Sequence, residues 1–568
     1  MTTRGEDFGA QRDGSRGQGR SYSPRGRGQR SGQDGSDRGR FDEPRRGRPG
    51  GTYRGTGRDQ SEPRDRAQRH RDAKGRERSG SRGKSGARAG WSEHRPSERA
   101  REAAPTRRAA WEAMREVSAH DAYANLVFPK VLRAHGLHGR DAAFTTELFY
   151  GTLRAKRRLD AVISCCVTRP LDRVDEDVLD VLRLGAYQLL DMNVPPHAAT
   201  SETVALARQA TGAGSAQFVN AVLRAIGRKD AEAWLDEILP ERVDDEIEYL
   251  ALKHSHPTWI VRALSDALAG HGRDRNELED LLVAQNRAPK VDLVVRPGLS
   301  DLDELMEYGA GAGRLSQFAA YWPSGDPSGI TPVREGRAAI QDEGSQLMAL
   351  ALALGVDTLV TSPSPHWLDL CAGPGGKTAL LGGLTVDHDA DLLATEIQPH
   401  RADLVQRGVR ALVEAGCDIE VEAADGRDIG TRYPERFSRI LADVPCTGLG
   451  ALRRRPESRW RRQLSDVGPL TVLQRELLLS AVDALAPGGV LAYVTCSPHL
   501  AETLLVVKDL LRRRQDVRQL DAREAVRAGV HSDAQIDLGA GPSVQLWPHV
   551  HGTDGMFIAL FTRESSPT

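Results

Sequence analysis

Cysteine is scarce in this chain: six residues in 568, at positions 165, 166, 371, 417, 446 and 496. No pair has the Cys-x-x-Cys spacing, and so few thiols in so long a chain speak against a disulfide framework and against a zinc site. Any cysteine that matters here acts as a thiol. Long apolar runs are also missing. No stretch of 18 apolar residues occurs and the first residues carry no apolar signal core, so a soluble cytoplasmic protein with neither membrane nor metal partner is expected. A large excess of charge is missing too, since the formal net charge is -1. That balance conceals an asymmetry. Residues 1–100 hold 26 Lys and Arg against 14 Asp and Glu, which leaves 52 against 65 in the remainder. The length allows about three domains with large cores. Nothing in the composition calls for an oligomer, so a monomer is the expectation.

What is present falls into four stretches. Residues 1–104 are rich in Arg, Gly, Ser, Gln and Asp and nearly devoid of aliphatic residues. Such a segment cannot bury enough apolar surface to offset its ordering entropy, so disorder is expected. Its runs R-G-R-G-Q-R (25–30) and R-R-G-R-P-G (45–50) suit a phosphate backbone, and a purely solubilising tail is the alternative. From 105 to 240 the pattern is that of amphipathic helices. Val178, Val181, Leu182, Gly185 and Leu189 fall on one helical face, with Asp175, Glu176 and Asp177 at its start where acids suit the helix dipole. Cys165 and Cys166 read as core residues and His197 as a turn residue. Residues 241–337 form a connector in which K-V-D-L-V-V-R (290–296) predicts a half-buried strand.

The chemistry is concentrated from 338 to 562. Trp367 to Leu381 reads W-L-D-L-C-A-G-P-G-G-K-T-A-L-L, an apolar run cut by Gly373-Pro374-Gly375-Gly376 before a helical pattern begins at Thr378. A strand, a glycine turn and a helix N-terminus in that order bring free N–H groups close to a ligand. A Walker phosphate loop needs glycine five residues before the Gly-Lys pair, where this chain has Cys371. Glu396 follows Gly376 by twenty residues at the end of a second apolar run, a distance suited to accepting hydrogen bonds from ribose hydroxyls. A nucleoside cofactor is implied; which one stays open at this point.

Strands are predicted at 366–370, 391–397, 418–424, 437–443 and 489–495 with helices between, the alternation of a parallel, doubly wound sheet with its ligand at the carboxyl ends of the strands. Those ends carry the glycine loop, Glu396, Asp425, Asp443 and Cys496. Ser543–Trp547 and Met556–Thr562 read as further strands at the sheet edge. Cys446, just past the strand ending at Asp443, and Cys496 fall into one cleft by this topology. A redox pair would more usually show Cys-x-x-Cys. The basic run Arg453-Arg454-Arg455 with Arg459, Arg461 and Arg462 suits RNA phosphate, or else a solvated helix face.

Two resemblances sharpen this picture. E-L-F-Y-G-T-L-R (147–154), L-R-L-G-A-Y-Q-L-L (182–190), P-P-H-A-A (195–199) and F-V-N-A-V-L-R (218–224) resemble the NusB-like helical domain, which implies an RNA-binding helical bundle. L-D-L-C-A-G-P-G-G-K-T (368–378), A-D-V-P-C-T-G-L-G-A-L-R-R-R-P-E-S-R-W (442–460) and L-A-Y-V-T-C-S-P (491–498) resemble the Sun/Fmu family of RNA (cytosine-5-)-methyltransferases. The fold implied is α/β: a Rossmann-like doubly wound methyltransferase sheet, preceded by an all-helical NusB-like bundle and the basic tail. The cofactor implied is S-adenosyl-L-methionine and the substrate RNA, small-subunit ribosomal RNA in particular. By position, Cys371, Ala372, Gly373, Pro374, Gly375, Gly376 and Lys377 hold the methionine part, Glu396 the ribose and Asp425 the adenine end, and Asp443 completes the cofactor set. Cys496 matches the family's nucleophile and Cys446 the cysteine that aids product release. Asp443 then meets the base edge, and Lys377 orients the group and favours the thiolate. One departure stands after Thr-Cys-Ser. The chain reads Pro498-His499-Leu500-Ala501-Glu502-Thr503 where the resemblance has a Glu-Glu-Asn-like run, and Glu502 keeps one acid of it. A non-catalytic RNA-binding regulator is the alternative; intact Cys446, Cys496, Asp443 and glycine loop argue against it.

Overall fold

The computed structural model describes residues 102–120 and 122–564. The tail expected over 1–104 therefore lies, up to residue 101, outside the described residues. Six helices open the described chain: Pro105–His120, Ala124–Ala134, Gly139–Cys166, Glu176–Leu190, Pro196–Ala210 and Ala213–Ile226. Glu176–Leu190 begins where the Asp175 carboxylate accepts from Asp177 N at 3.0 Å, an N-cap that satisfies a helix-end donor. The pattern predicts one buried face for this helix, yet every residue from Val178 to Gln188 is buried. It is the central helix of the bundle, and its polar residues are paired inside. Arg183 donates to Asp160 and Glu176 at 2.6 Å and to Asp180 at 2.8 Å. Local periodicity reads Arg183 and Asp180 as solvent-facing because it cannot see those partners. Cys165 corrects the core reading in the other direction: it lies exposed at the end of the long helix Gly139–Cys166, whereas half-buried Cys166 packs against the core of the bundle.

A seventh helix, Ala231–Ile238, packs Trp234 into the same core. The connector holds helices Glu246–Lys253, Thr258–Gly270 and Leu278–Asn286. A small antiparallel sheet follows, made of β1 (Val291–Val295), β2 (Gly311–Ala312), β3 (Ala319–Trp322) and β4 (Ala338–Ile340), in the order β2-β3-β1-β4. Strand β1 is not half-buried. Leu293 and Val295 enter the core of this small sheet, while Val294 enters the core shared with helix Glu343–Ala353. Both faces of β1 are therefore covered, and Asp292 is neutralised by Arg454 at 2.9 Å.

The large sheet comprises β5 (His366–Leu370), β6 (Asp391–Thr395), β7 (Ile419–Glu422), β8 (Phe437–Asp443), β9 (Leu485–Thr495), β10 (Val517–Leu520), β11 (Val544–Gln545) and β12 (Phe557–Arg563). Its order is β10-β12-β9-β8-β5-β6-β7, with β11 beside β12. Strands β9-β8-β5-β6-β7 are parallel, as their apolar runs predict, because helices cover both faces. The C-terminal strand corrects the edge reading. β12 runs antiparallel between β9 and β10 and is buried along nearly its whole length. The edge belongs to β10, for which the sequence carries no clear signal. The chain builds β5-β6-β7 outward on one side and then returns to place β8 on the other side of β5. That reversal opens a crevice beyond the carboxyl ends of β5 and β8, where such sheets bind ligands.

Candidate active site

The crevice is bounded first by the loop after β5. Cys371 takes φ +64° and Gly375 φ +105°, left-handed conformations that turn the chain into helix Gly376–Leu384 within five residues. A Cβ at Gly373 would lie 2.3 Å from Glu396 Oε2, and one at Gly375 would lie 2.9 Å from Val405 Cα. The loop is thus pressed against β6 and the helix after it as only glycine permits. Arg296 of the connector donates to Gly376 O at 3.1 Å and braces the helix start. Asp369, on β5 beneath the loop, has no exposed surface. Thr378 Oγ1 donates to its Oδ2 at 2.6 Å, while its Oδ1 has no partner. Burial pushes the Asp369 carboxyl up to about 7. Burial also pushes the Cys371 thiol far up, which disfavours its thiolate.

Glu396 closes the floor. It accepts from Gly373 N at 3.2 Å and Gln398 N at 3.0 Å. It is 2% exposed because Arg401 lies over it, 3.2 Å from its Oε2 and donating to Gly373 O at 2.6 Å. Arg401 is itself 41% exposed, so this carboxylate is screened from the crevice by a side chain at the surface. Asp425 caps the turn after β7 and pairs with Arg427 at 2.6 Å, half-buried at the rim. Close-packed glycines, an acid at each of two strand ends and an unsatisfied buried oxygen below fit a nucleoside cofactor carrying a charged amino-acid part.

Facing the loop across the crevice are the ends of β8 and β9. The Cys446 and Cys496 sulfurs lie 3.3 Å apart, brought together across fifty residues because β8 and β9 are adjacent parallel strands. Lys377 donates to Asp443 Oδ2 at 2.8 Å. Burial pulls the Lys377 ammonium down, but the charge of Asp443 and its hydrogen bond more than offset that, and the lysine stays charged. The two thiols are unequal. Cys496 is lowered by its hydrogen bond to Cys446, against burial and the charge of Asp443, with help from Arg455 and Lys377. Cys446 is raised well up by the same hydrogen bond and by burial. The surroundings thus favour negative charge on Cys496 and the proton on Cys446.

The arginine run is mostly mortar and not a phosphate grip. Arg453 is buried and donates to Asp342 and Asp554 at 2.6 Å. Arg454 reaches Asp292 and Asp342. Arg459 has no exposed surface and donates to backbone and amide oxygens of the helical module and the connector. Arg461 donates to Val117 O and Ala122 O at 2.6 Å. Arg455 alone of the triplet is exposed, stacked 5.4 Å over the Tyr123 ring. Its charge is among those that lower the Cys496 thiol. Sequence reasoning also passed over Arg296 and Arg401, whose partners come from distant segments.

No helix among the described residues is long and apolar enough to cross a membrane, and no group of metal-ligating side chains gathers among them. Residues 356–562 match the model of a family described as 16S rRNA methyltransferase RsmB/F, and residues 104–228 match the NusB family. The chain is 51% identical over 463 residues to the protein named "Putative methyltransferase Rv1407" of Mycobacterium tuberculosis strain H37Rv, covering 81% of this chain and 96% of that one. It is 31% identical over 429 residues to the ribosomal RNA small subunit methyltransferase B of Pseudomonas syringae pv. tomato strain DC3000, covering 74% of this chain and 89% of that one. A crystal structure of PH0851 shares the fold with a TM-score of 0.66 at 21% identity, over 81% of this chain and 98% of that one.

Proposed function

Since the chain belongs to the RsmB/F family of 16S rRNA methyltransferases and carries a NusB-family domain, we propose that it methylates carbon 5 of a cytosine in small-subunit ribosomal RNA, in the cytoplasm, through a covalent link between Cys496 and the base. In this reading residues 105–240 bind RNA, 241–337 connect, and 338–562 carry the chemistry. S-adenosyl-L-methionine, when bound, supplies an electrophilic methyl group on a sulfonium. The backbone of Cys371–Lys377 would hold its methionine part, Glu396 the ribose once Arg401 moves, and Asp425 the adenine end, with Asp443 nearby.

Carbon 5 of cytosine is too weak a nucleophile to take that methyl unaided. A Cys496 thiolate adding to carbon 6 pushes an electron pair to carbon 5, which would then bond to the methyl group as that group's bond to the sulfonium sulfur breaks and leaves its electron pair on the sulfur. Asp443, fixed by Lys377, accepts from the exocyclic amino group of cytosine, a donor that uracil lacks. Adduct formation removes the negative charge from the Cys496 sulfur, and with it the largest of the influences that raise the Cys446 thiol. Cys446 can then lose its proton to solvent and take the proton from carbon 5. The electrons of that C–H bond restore the ring double bond as the Cys496–carbon 6 bond breaks. The target base must leave its stack to reach the sulfurs.

The sulfur pair 3.3 Å apart beside an ion-paired Asp443 carries this reading. Cys446→Ala, incubated with S-adenosylmethionine and small-subunit ribosomal RNA, is expected to accumulate a protein–RNA adduct on denaturing gels that the double variant with Cys496→Ala lacks. An adduct that survives in the double variant would mean that neither cysteine is the nucleophile. Absence of both adduct and 5-methylcytosine would favour an RNA-binding regulator.

A further inference from the structure

Behind the two thiols lies a buried acid that the reaction above does not use. Glu502 ends the short turn Leu500–Glu502 after β9 and has no exposed surface. Its Oε1 accepts from Thr447 N at 2.8 Å and from Gln474 Nε2 at 3.1 Å, and its Oε2 accepts from Thr447 Oγ1 at 2.5 Å. Gln474 Nε2 also donates to Pro445 O at 2.8 Å, so both neighbours of Cys446 are tied to one network. Thr447 Oγ1 lies 3.1 Å from Ser497 Oγ, which follows Cys496 directly. Tyr493 OH donates to Glu502 O at 2.7 Å and anchors the acid to β9 itself. The two turns bearing the sulfurs are thereby joined through one carboxylate.

The choice of an acid here is costly. Among the described residues no cation pairs with Glu502, and a buried carboxylate without one is harder to accommodate than an amide of the same shape. The four hydrogen bonds to its carboxylate and backbone lower that cost and give the group a fixed position. The Cys446 thiol is raised by its hydrogen bond to Cys496 and by burial, then by the charges of Cys496, Glu502 and Asp443.

We propose that Glu502 is a positioning residue for the thiol pair, which anchors the Cys446 turn to the Cys496 turn and fixes which sulfur is the donor and which the nucleophile. The inference rests on the reading of Cys496 and Cys446 as nucleophile and releasing thiol, but its test needs neither RNA nor cofactor. The full chain is treated with limiting iodoacetamide at neutral pH, and labelling of Cys496 and Cys446 is quantified by peptide mass spectrometry. Wild type is expected to label Cys496 preferentially. In Glu502→Gln the Cys496-to-Cys446 ratio is expected to fall about threefold or more, which corresponds to half a pKa unit in the difference between the thiols. Loss of packing alone would expose both sulfurs and would not change their order. An unchanged ratio in a folded Glu502→Gln protein, judged by circular dichroism, overturns the proposal. Should that variant fail to fold, Thr447→Val decides. It removes the hydroxyl that links Glu502 to Ser497 and keeps the branched shape, so the same fall supports the proposal and an unchanged ratio overturns it. A changed ratio in a protein that methylates no RNA supports this inference and counts against the methyltransferase reading alone.

Discussion

Replacing Arg459 by methionine is expected to loosen the junction between the helical module, the connector and the catalytic sheet, and not to weaken contact with RNA. The Arg459 guanidinium donates to Asn286 Oδ1 at 2.6 Å and to Gln285 O at 2.7 Å, with longer bonds to Arg154 O at 3.3 Å and Ser255 O at 3.4 Å. Among the described residues no carboxylate pairs with it, and burial together with the nearby Arg154 pulls its pKa well below that of an ordinary arginine. Hydrogen bonds from a charged donor contribute about 1.5–3 kcal/mol each, so the two short ones are worth about 3–6 kcal/mol. Removing a buried cation without a counter-ion returns on the order of a few kcal/mol of desolvation. Methionine fills most of the volume but leaves those oxygens without a donor. A net loss of about 2–4 kcal/mol follows. Urea unfolding followed by tryptophan fluorescence reads it well, because Trp460 Nε1 donates to Leu153 O at 2.7 Å across the same junction. Stability within about 0.5 kcal/mol of wild type would refute the reasoning. So would an RNA affinity that falls while stability holds, since that is the signature of a phosphate contact.

Two further outcomes are expected. Gly373→Ala puts a Cβ 2.3 Å from Glu396 Oε2 and 3.0 Å from Arg401 Nε, forcing loop and acid apart. S-adenosylmethionine affinity by calorimetry should fall about tenfold or more, or about 1.4 kcal/mol, and unchanged affinity would mean that this contact does not shape the pocket. Asp369, raised to about 7 by burial, holds its proton in the folded chain over a range where the unfolded chain has released it. Folding stability contributed by this group is therefore lost as pH rises from about 4 to 7, by up to about 4 kcal/mol. Asp369→Asn keeps an acceptor for Thr378 and removes the charge, so this component of the slope should vanish in unfolding measured across that range; an undiminished slope would assign it to another group.

The sequence by itself determined the strands β5 to β9 within a few residues, the glycine turn, and the order in which acids and thiols end those strands. Parallel strands covered on both faces are continuous apolar runs, and a reversal into a helix needs glycine wherever φ is positive or backbones touch, so both leave local marks. The family motifs around Cys371, Cys446 and Cys496 were legible for the same reason, each being a short run fixed by its own turn. The features without a local mark lie where charge is buried by distant partners. Arg453, Arg454 and Arg459 read as a basic surface in sequence and are internal ties in the fold, because Asp342, Asp554 and Gln285 come from elsewhere in the chain. β12 reads as an edge strand and lies inside the sheet, since pairing on both sides leaves no mark that pairing on one side lacks. Glu502 is one acid in an unremarkable run until Thr447 and Gln474 close around it. A local pattern records how a segment would meet water; it cannot record which segments will take the water's place.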